Sequence, residues 1–245
     1  MTPRLTIRQL YQILSKTYRQ QGWWPVSITG DRQTGLLDDR GYHAGRYDFP
    51  YHDDQKLEIA LGAILTQNTN WNNASAALHS LADHGLFSLQ RLLDAKIEQI
   101  ALAIRSAGYY NQKAQTVKNL VQFLNHCSFE KLEGLACQSA RDRLLDIRGI
   151  GPETADSILL YALKQPSFVI DAYTKRICFG IGIATVSVSY ESLQRLFESS
   201  LERDLVVFQE YHALLVQHGK HYYSRKPHGK GDEILCPFWT SGKSS

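Results

Sequence analysis

The segment Leu144-Leu-Asp-Ile-Arg-Gly149-Ile-Gly151-Pro-Glu-Thr-Ala-Asp-Ser-Ile-Leu159 decides the fold. Two glycines, separated by one apolar residue, join an amphipathic helix to a second helix. Gly149 and Gly151 can take backbone angles that side chains forbid, and they let a phosphate approach the main chain. Pro152 stands at the first helical position, where its missing N–H costs nothing. The free N–H groups of Gly151, Glu153 and Thr154, with the positive helix end, are then ready for an anion. Ile147 and Ile150 are expected to lock the turn into the core. A plain helical corner also favours glycine, but apolar-x-Gly-apolar-Gly between helices is more specific than a lone GxG and favours phosphate.

Outward from this hairpin the pattern stays helical. Apolar spacing predicts helices over 5–21, 54–67, 71–83, 87–94, 96–105, 111–126, 138–146, 152–164, 171–180, 189–202 and 205–219. Residues 25–53 carry Gly30, Gly35, Gly41 and Gly45 without a sustained period and read as one long loop. Convincing strands are absent, so the class is all-α. The 245 residues are 43% apolar, enough for a core in one domain or two small ones. The longest apolar run, 158–163, is too short to cross a bilayer, and no signal peptide is evident, so no membrane is expected. Cys127, Cys137, Cys178 and Cys236 form no CxxC pair, which fits a reducing cytoplasm. The net charge of +3 says little alone. The stretch 218–230, with four Lys/Arg, three His and no acid, suits a polyanion or a solvated tail.

The stretch "LLDIRGIGPETADSILLYAL", followed by Asp171 in "FVIDAYTKRI", resembles the helix-hairpin-helix base-excision glycosylases of the endonuclease III superfamily. "LEIALGAILTQNTNW", "IRSAGYYNQKAQTVKNL" and "YHALLVQHGKHYYSRKP" are similar to other segments of that family. The resemblance covers roughly 55–236 and implies two helical domains with a DNA-binding cleft between them. The expected boundaries are 48–165 for the hairpin domain, and 1–47 with 166–245 for the other. The implied partner is double-stranded DNA carrying a damaged base, bound by a monomeric cytoplasmic protein.

The resemblance also implies site residues. Asp171 matches the family's catalytic aspartate, a fixed anion that favours positive charge growing on the sugar as the base leaves. Read alone, Asp171 is a good helix N-cap. Members that also nick DNA place a lysine where this chain has Glu153, and a carboxylate cannot form a Schiff base, so a monofunctional enzyme without lyase activity is expected. Gln67, Asn70, Lys113, Gly149, Gly151, Glu153 and Thr154 are expected at DNA, with Gln67 filling the gap left by a flipped base. Trp23, Trp24 and Trp71 resemble the aromatic base pocket of 3-methyladenine glycosylases. An electron-rich indole attracts a cationic N-alkylated purine by about 0.5–2 kcal/mol. Without the family, adjacent tryptophans before a proline read as core. Tyr109 and Tyr110 line the same cleft or belong to the core.

Aligning the family's iron–sulfur loop puts Tyr223, Gly229 and Asp232 at three ligand positions, with Cys236 at the fourth. No cluster and no other cofactor is expected, since one thiolate cannot hold four iron bonds. His218, His221, His228 and Cys236 show no regular zinc spacing. The alternatives are a uracil or thymine mismatch glycosylase, and a non-enzymatic DNA-binding module.

Overall fold

The computed structural model describes residues 5–30 and 37–239. Residues 31–36 of the expected long loop, Gly35 among them, lie outside the described residues. Among the described residues are twelve α-helices and no strand. In chain order these are α1 (Ile7–Thr17), α2 (Asp53–Leu65), α3 (Trp71–Asp83), α4 (Leu89–Asp94), α5 (Ile97–Ala103) and α6 (Tyr110–His126). There follow α7 (Phe129–Glu133), α8 (Cys137–Leu145), α9 (Pro152–Ser157), α10 (Ala172–Gly180), α11 (Tyr190–Ser200) and α12 (Leu205–Tyr222). The chain forms two compact units, Trp24–Gln165 and Met1–Trp23 with Pro166–Ser245.

In the first unit α2 is the central helix. Every residue from Gln55 to Leu65 is buried, which suits a helix apolar on most sides and wrapped by neighbours. It packs against α3, α6, α9 and the turn that follows α9. Its one fully buried acid, Glu58, is satisfied by the loop before it. The Glu58 carboxylate accepts the N–H groups of Ser27, Ile28 and Thr29 and the Thr29 hydroxyl, at 2.6 to 3.2 Å. The His43 ring lies between the carbonyls of Trp24 and Arg46. These ties fix the domain boundary. From sequence, residues 24–47 are expected with the C-terminal part; in the structure they join the unit of α2, because Glu58 and His43 hold their backbone there.

The hairpin joins α8 to α9. Arg141 of α8 grips Asp156 of α9 through two bonds of 2.8 and 3.0 Å, and the Asp156 side chain is fully buried. Breaking such a pair from one side would cost about 3–5 kcal/mol. The expected single helix over 152–164 is in fact α9 followed by a π-helical stretch, Ile158–Ala162, whose residues are all buried. Lys164 then takes a left-handed conformation (φ 52°) and ends it.

In the second unit the short run Phe168-Val-Ile170 is fully buried but has no strand partner. Side chains satisfy its backbone instead. Glu198 accepts from Phe168 N–H, Gln194 donates to Phe168 C=O, and Tyr190 OH accepts from Ile170 N–H. Phe168 stacks on Phe197 at 4.4 Å and meets Phe208 and Tyr211 edge-on. Residues 21 and 22 are anchored to α12 by Glu210, which accepts both N–H groups.

Candidate active site

Three loops of the first unit, namely the hairpin, the turn after α2 and the turn before α6, carry Gly151, Gln67 and Tyr109. Gly149 has φ +100°, and a Cβ there would collide with the Thr116 side chain of α6, so glycine is required twice over. Gly151 is extended, and a Cβ there would meet nothing within 4 Å. Its side faces open space, as a main chain approached by a ligand would. Ile147 and Ile150 are buried, as expected from their spacing. Asn119 Nδ2 donates to Arg148 C=O at 2.8 Å and holds the turn against α6. By position the N–H groups of Glu153 and Thr154, in the first turn of α9, have no helical acceptor, although the Thr154 side chain itself is buried.

The end of α2 lies beside this turn. Gln67 is half-buried, and its Nε2 donates to Ala63 C=O at 3.3 Å and to Glu153 Oε1 at 3.5 Å. Asn70 is exposed and caps α3 by accepting from Asn73 N–H. The third loop, before α6, presents Tyr109, which is 66% exposed in a left-handed conformation (φ 46°). Sequence considered Tyr109 only as a lining or core residue. A bulky side chain both exposed and in that backbone region is a feature that spacing does not reveal.

Two expected roles are corrected. Lys113 does not face DNA: it is buried, and its Nζ donates to Leu65 C=O at 2.8 Å and Ala107 C=O at 2.7 Å. Burial pulls its pKa down to about 8. The lysine is a clasp between the end of α2 and the turn before α6. The tryptophans likewise do not form a parallel sandwich. Trp24 is only 4% exposed and packs edge-on against Trp71 at 5.6 Å and Tyr161 at 5.4 Å, leaving no slot between the indoles. Trp24 also presses on α2 at Gly62, where a Cβ would lie 2.9 Å from its Nε1. Trp71, half-buried at the start of α3, is the more accessible of this pair.

Trp23 belongs to the other unit. Its ring meets buried His212 edge-on at 5.9 Å, and Lys220 Nζ lies 5.1 Å from its centroid. Burial lowers the His212 pKa, Asp171 opposes that shift, and Lys220 adds to it. In the same unit Asp171 is the N-cap of α10. Its Oδ1 accepts from Thr174 N–H and Thr174 Oγ1, both at 2.7 Å. The cap holds the carboxylate through this one oxygen and leaves the other, Oδ2, without a partner among the described residues.

A four-thiolate cluster does not fit the segment after α12. Asp232, with no exposed side-chain surface, accepts from His218 Nε2 at 2.9 Å, Tyr223 OH at 3.1 Å, and the N–H groups of Ile234 and Leu235. His218 Nδ1 pairs with Tyr18 OH at 3.1 Å. Gly229 (φ +78°) lies against Trp239, and Cys236 is exposed. Among the described residues no group of three or more His, Cys, Asp or Glu is placed to hold a metal ion, and no helix is long and apolar enough to cross a membrane.

The model of the HhH-GPD superfamily of base excision DNA repair proteins matches residues 61–203, more than half of the chain. The chain belongs to that superfamily. It is 35% identical to a candidate DNA repair glycosylase of Methanocaldococcus jannaschii over 224 residues, 90% of each chain. It is 34% identical to endonuclease III of Sulfolobus acidocaldarius over 169 residues, 68% of this chain and 74% of that protein. Among solved structures, H. pylori 3-methyladenine DNA glycosylase bound to 1,N6-ethenoadenine superposes with a TM-score of 0.69 at 24% identity, covering 89% of this chain and 98% of that one. A trapped endonuclease III–DNA covalent intermediate superposes with a TM-score of 0.70 at 14% identity, covering 96% of each. At those identities the two structures speak for the fold. As an HhH-GPD protein, this chain is a DNA-binding repair glycosylase.

Proposed function

We propose that the protein is a monofunctional DNA glycosylase that removes an alkylated purine, with Asp171 as the catalytic carboxylate. The observation that carries this reading is the state of Asp171: rigidly capped at Oδ1, with Oδ2 open, behind a fully buried Phe168–Ile170 run. Such a pre-set anion costs no reorganisation when positive charge appears on the sugar, and Oδ2 can orient the attacking water.

The absence of lyase activity is supported by the amines. Glu153 stands at the lyase position, and Lys113 Nζ is bound to two carbonyls. Lys164 Nζ donates to the carbonyls of Asp48 and Pro50, and Lys175 Nζ lies 5.8 Å from the Tyr190 centroid. A Schiff base needs an amine free to attack the sugar.

The alkylated-purine reading draws on the H. pylori neighbour and on Trp71 as a stacking surface, worth about 1–3 kcal/mol per base. Cation–π attraction carries less of it than the sequence suggests, because Trp24 is enclosed and Lys220 already lies over Trp23. Neutral adducts and cationic ones therefore both belong in the substrate class. Gln67 is proposed to enter the duplex where the base leaves it, and the hairpin N–H groups to hold a phosphate. We propose further that the enzyme works as a monomer without iron or another cofactor, in the cytoplasm.

Base release from duplexes carrying 3-methyladenine, 1,N6-ethenoadenine, 7-methylguanine or uracil tests the reading. Free purine adduct with an uncut abasic strand is expected. Strand scission trapped by borohydride would overturn the monofunctional assignment, and preference for uracil would favour the mismatch-glycosylase alternative.

A further inference from the structure

Two acceptors orient the Gln67 amide. Its Nε2 has two hydrogens and two acceptors, the Ala63 carbonyl at 3.3 Å and Glu153 Oε1 at 3.5 Å. Neither acceptor can donate while Glu153 is ionised, so the amide cannot be flipped without placing Oε1 against two oxygens. Oε1 has no partner among the described residues. The contacts are long, so they orient the amide more than they stabilise it. Asn68, in a left-handed conformation (φ 54°), turns the chain directly afterwards, so Gln67 stands at the end of α2.

We infer that Glu153 is a positioning residue that aims Gln67 Oε1 outward, and that the enzyme thereby reads the base opposite its lesion. This rests on the proposal that Gln67 enters the duplex. An acceptor presented to the middle of a Watson–Crick edge matches the N3–H of thymine and the N1–H of guanine. Adenine N1 and cytosine N3 present lone pairs at that point, and their amino groups are displaced to one side. The inference sorts substrates by their partner: a lesion opposite thymine is an adenine adduct, one opposite guanine is a cytosine-derived or mispaired pyrimidine, and a guanine adduct opposite cytosine is disfavoured. It also gives the acid at 153 a positive role, since a lysine there would hold Oε1 and turn the NH2 group outward.

The test is binding of the intact protein to duplexes with a tetrahydrofuran abasic analogue opposite T, G, A or C. Wild type should bind the T and G duplexes about threefold or more tighter than the A and C duplexes, the scale of one hydrogen bond. E153K should abolish or reverse that ratio, and Gln67→Met, which cannot accept at this position, should level it. Equal wild-type affinity for all four, or an unchanged ratio in either folded variant, would overturn the inference. Failure of every duplex to bind better than undamaged DNA would instead count against the glycosylase reading beneath it.

Discussion

Replacing Asp232 by Leu should remove the buried post that holds the segment after α12. Its carboxylate accepts four donors, from His218, Tyr223, Ile234 and Leu235, with no side-chain exposure to water. Each buried donor left without an acceptor costs about 1–3 kcal/mol. Relaxation reduces the sum, and one-sided disruption of buried pairs centres on about 3–5 kcal/mol. That is a large share of the ~5–15 kcal/mol that holds a domain folded. The pH dependence provides a second handle. Burial pushes the Asp232 pKa up, but the hydrogen bond and charge of His218, with the Leu235 N–H and Tyr223 OH, outweigh it and leave it below the ordinary carboxylate value. The unfolded chain then takes up the proton first, so this stabilisation is complete above the ordinary range and is lost as pH falls through the lowered value. Urea unfolding at pH 7 and near pH 3 would measure it. The gap between wild type and Asp232→Leu should be several kcal/mol at neutral pH and shrink in acid. A gap under about 1 kcal/mol at pH 7, or one equal at both pH values, would refute the reasoning.

Gly149→Ala should destabilise the protein by about 1–3 kcal/mol, through positive φ and the Thr116 side chain. Gly151→Ala should leave thermal stability almost unchanged, because the added methyl enters open space, yet weaken DNA binding if a phosphate approaches there as proposed; equal effects of the two changes on stability would contradict this. Trp71→Ala should slow single-turnover base excision about tenfold or more, while Trp24→Ala should show up first as about 3–5 kcal/mol of lost stability in denaturant unfolding. Lys113→Met should cost about 2–4 kcal/mol of stability and leave the salt dependence of DNA binding unchanged, since Lys113 meets carbonyls and no phosphate.

What sequence makes legible here is local. The hairpin is written in consecutive residues, where Gly149 answers a positive φ, Pro152 fits the first helical position, and Ile147 and Ile150 face the core; Gly151 is extended, so its glycine answers no backbone angle. Asp171 is legible as an N-cap, and the structure bears that out through its Oδ1 contacts to Thr174. The remainder depends on partners far along the chain. Lys113 looks like any basic residue beside tyrosines, and only the meeting of Leu65 and Ala107 reveals a clasp. Trp23 and Trp24 are neighbours in sequence, yet one packs with His212 and the other with Trp71, so adjacency misleads. The boundary at Trp23 follows from Glu58 binding residues 27–29, about thirty positions away. Nothing in the apolar run 158–163 distinguishes a π-helical turn from an α-helical one, since both bury every residue.

Single-turnover release of an alkylated purine by wild type and Asp171→Asn, with DNA binding measured in parallel, tests the central claim most directly. Asn keeps the cap on Thr174 through its own oxygen, so the fold and the DNA affinity should persist while the charge is lost. The expected result is a rate reduced by about a hundredfold or more, the scale of removing one electrostatic transition-state contact, with affinity changed little. An Asp171→Asn protein that releases the base at the wild-type rate would contradict the account.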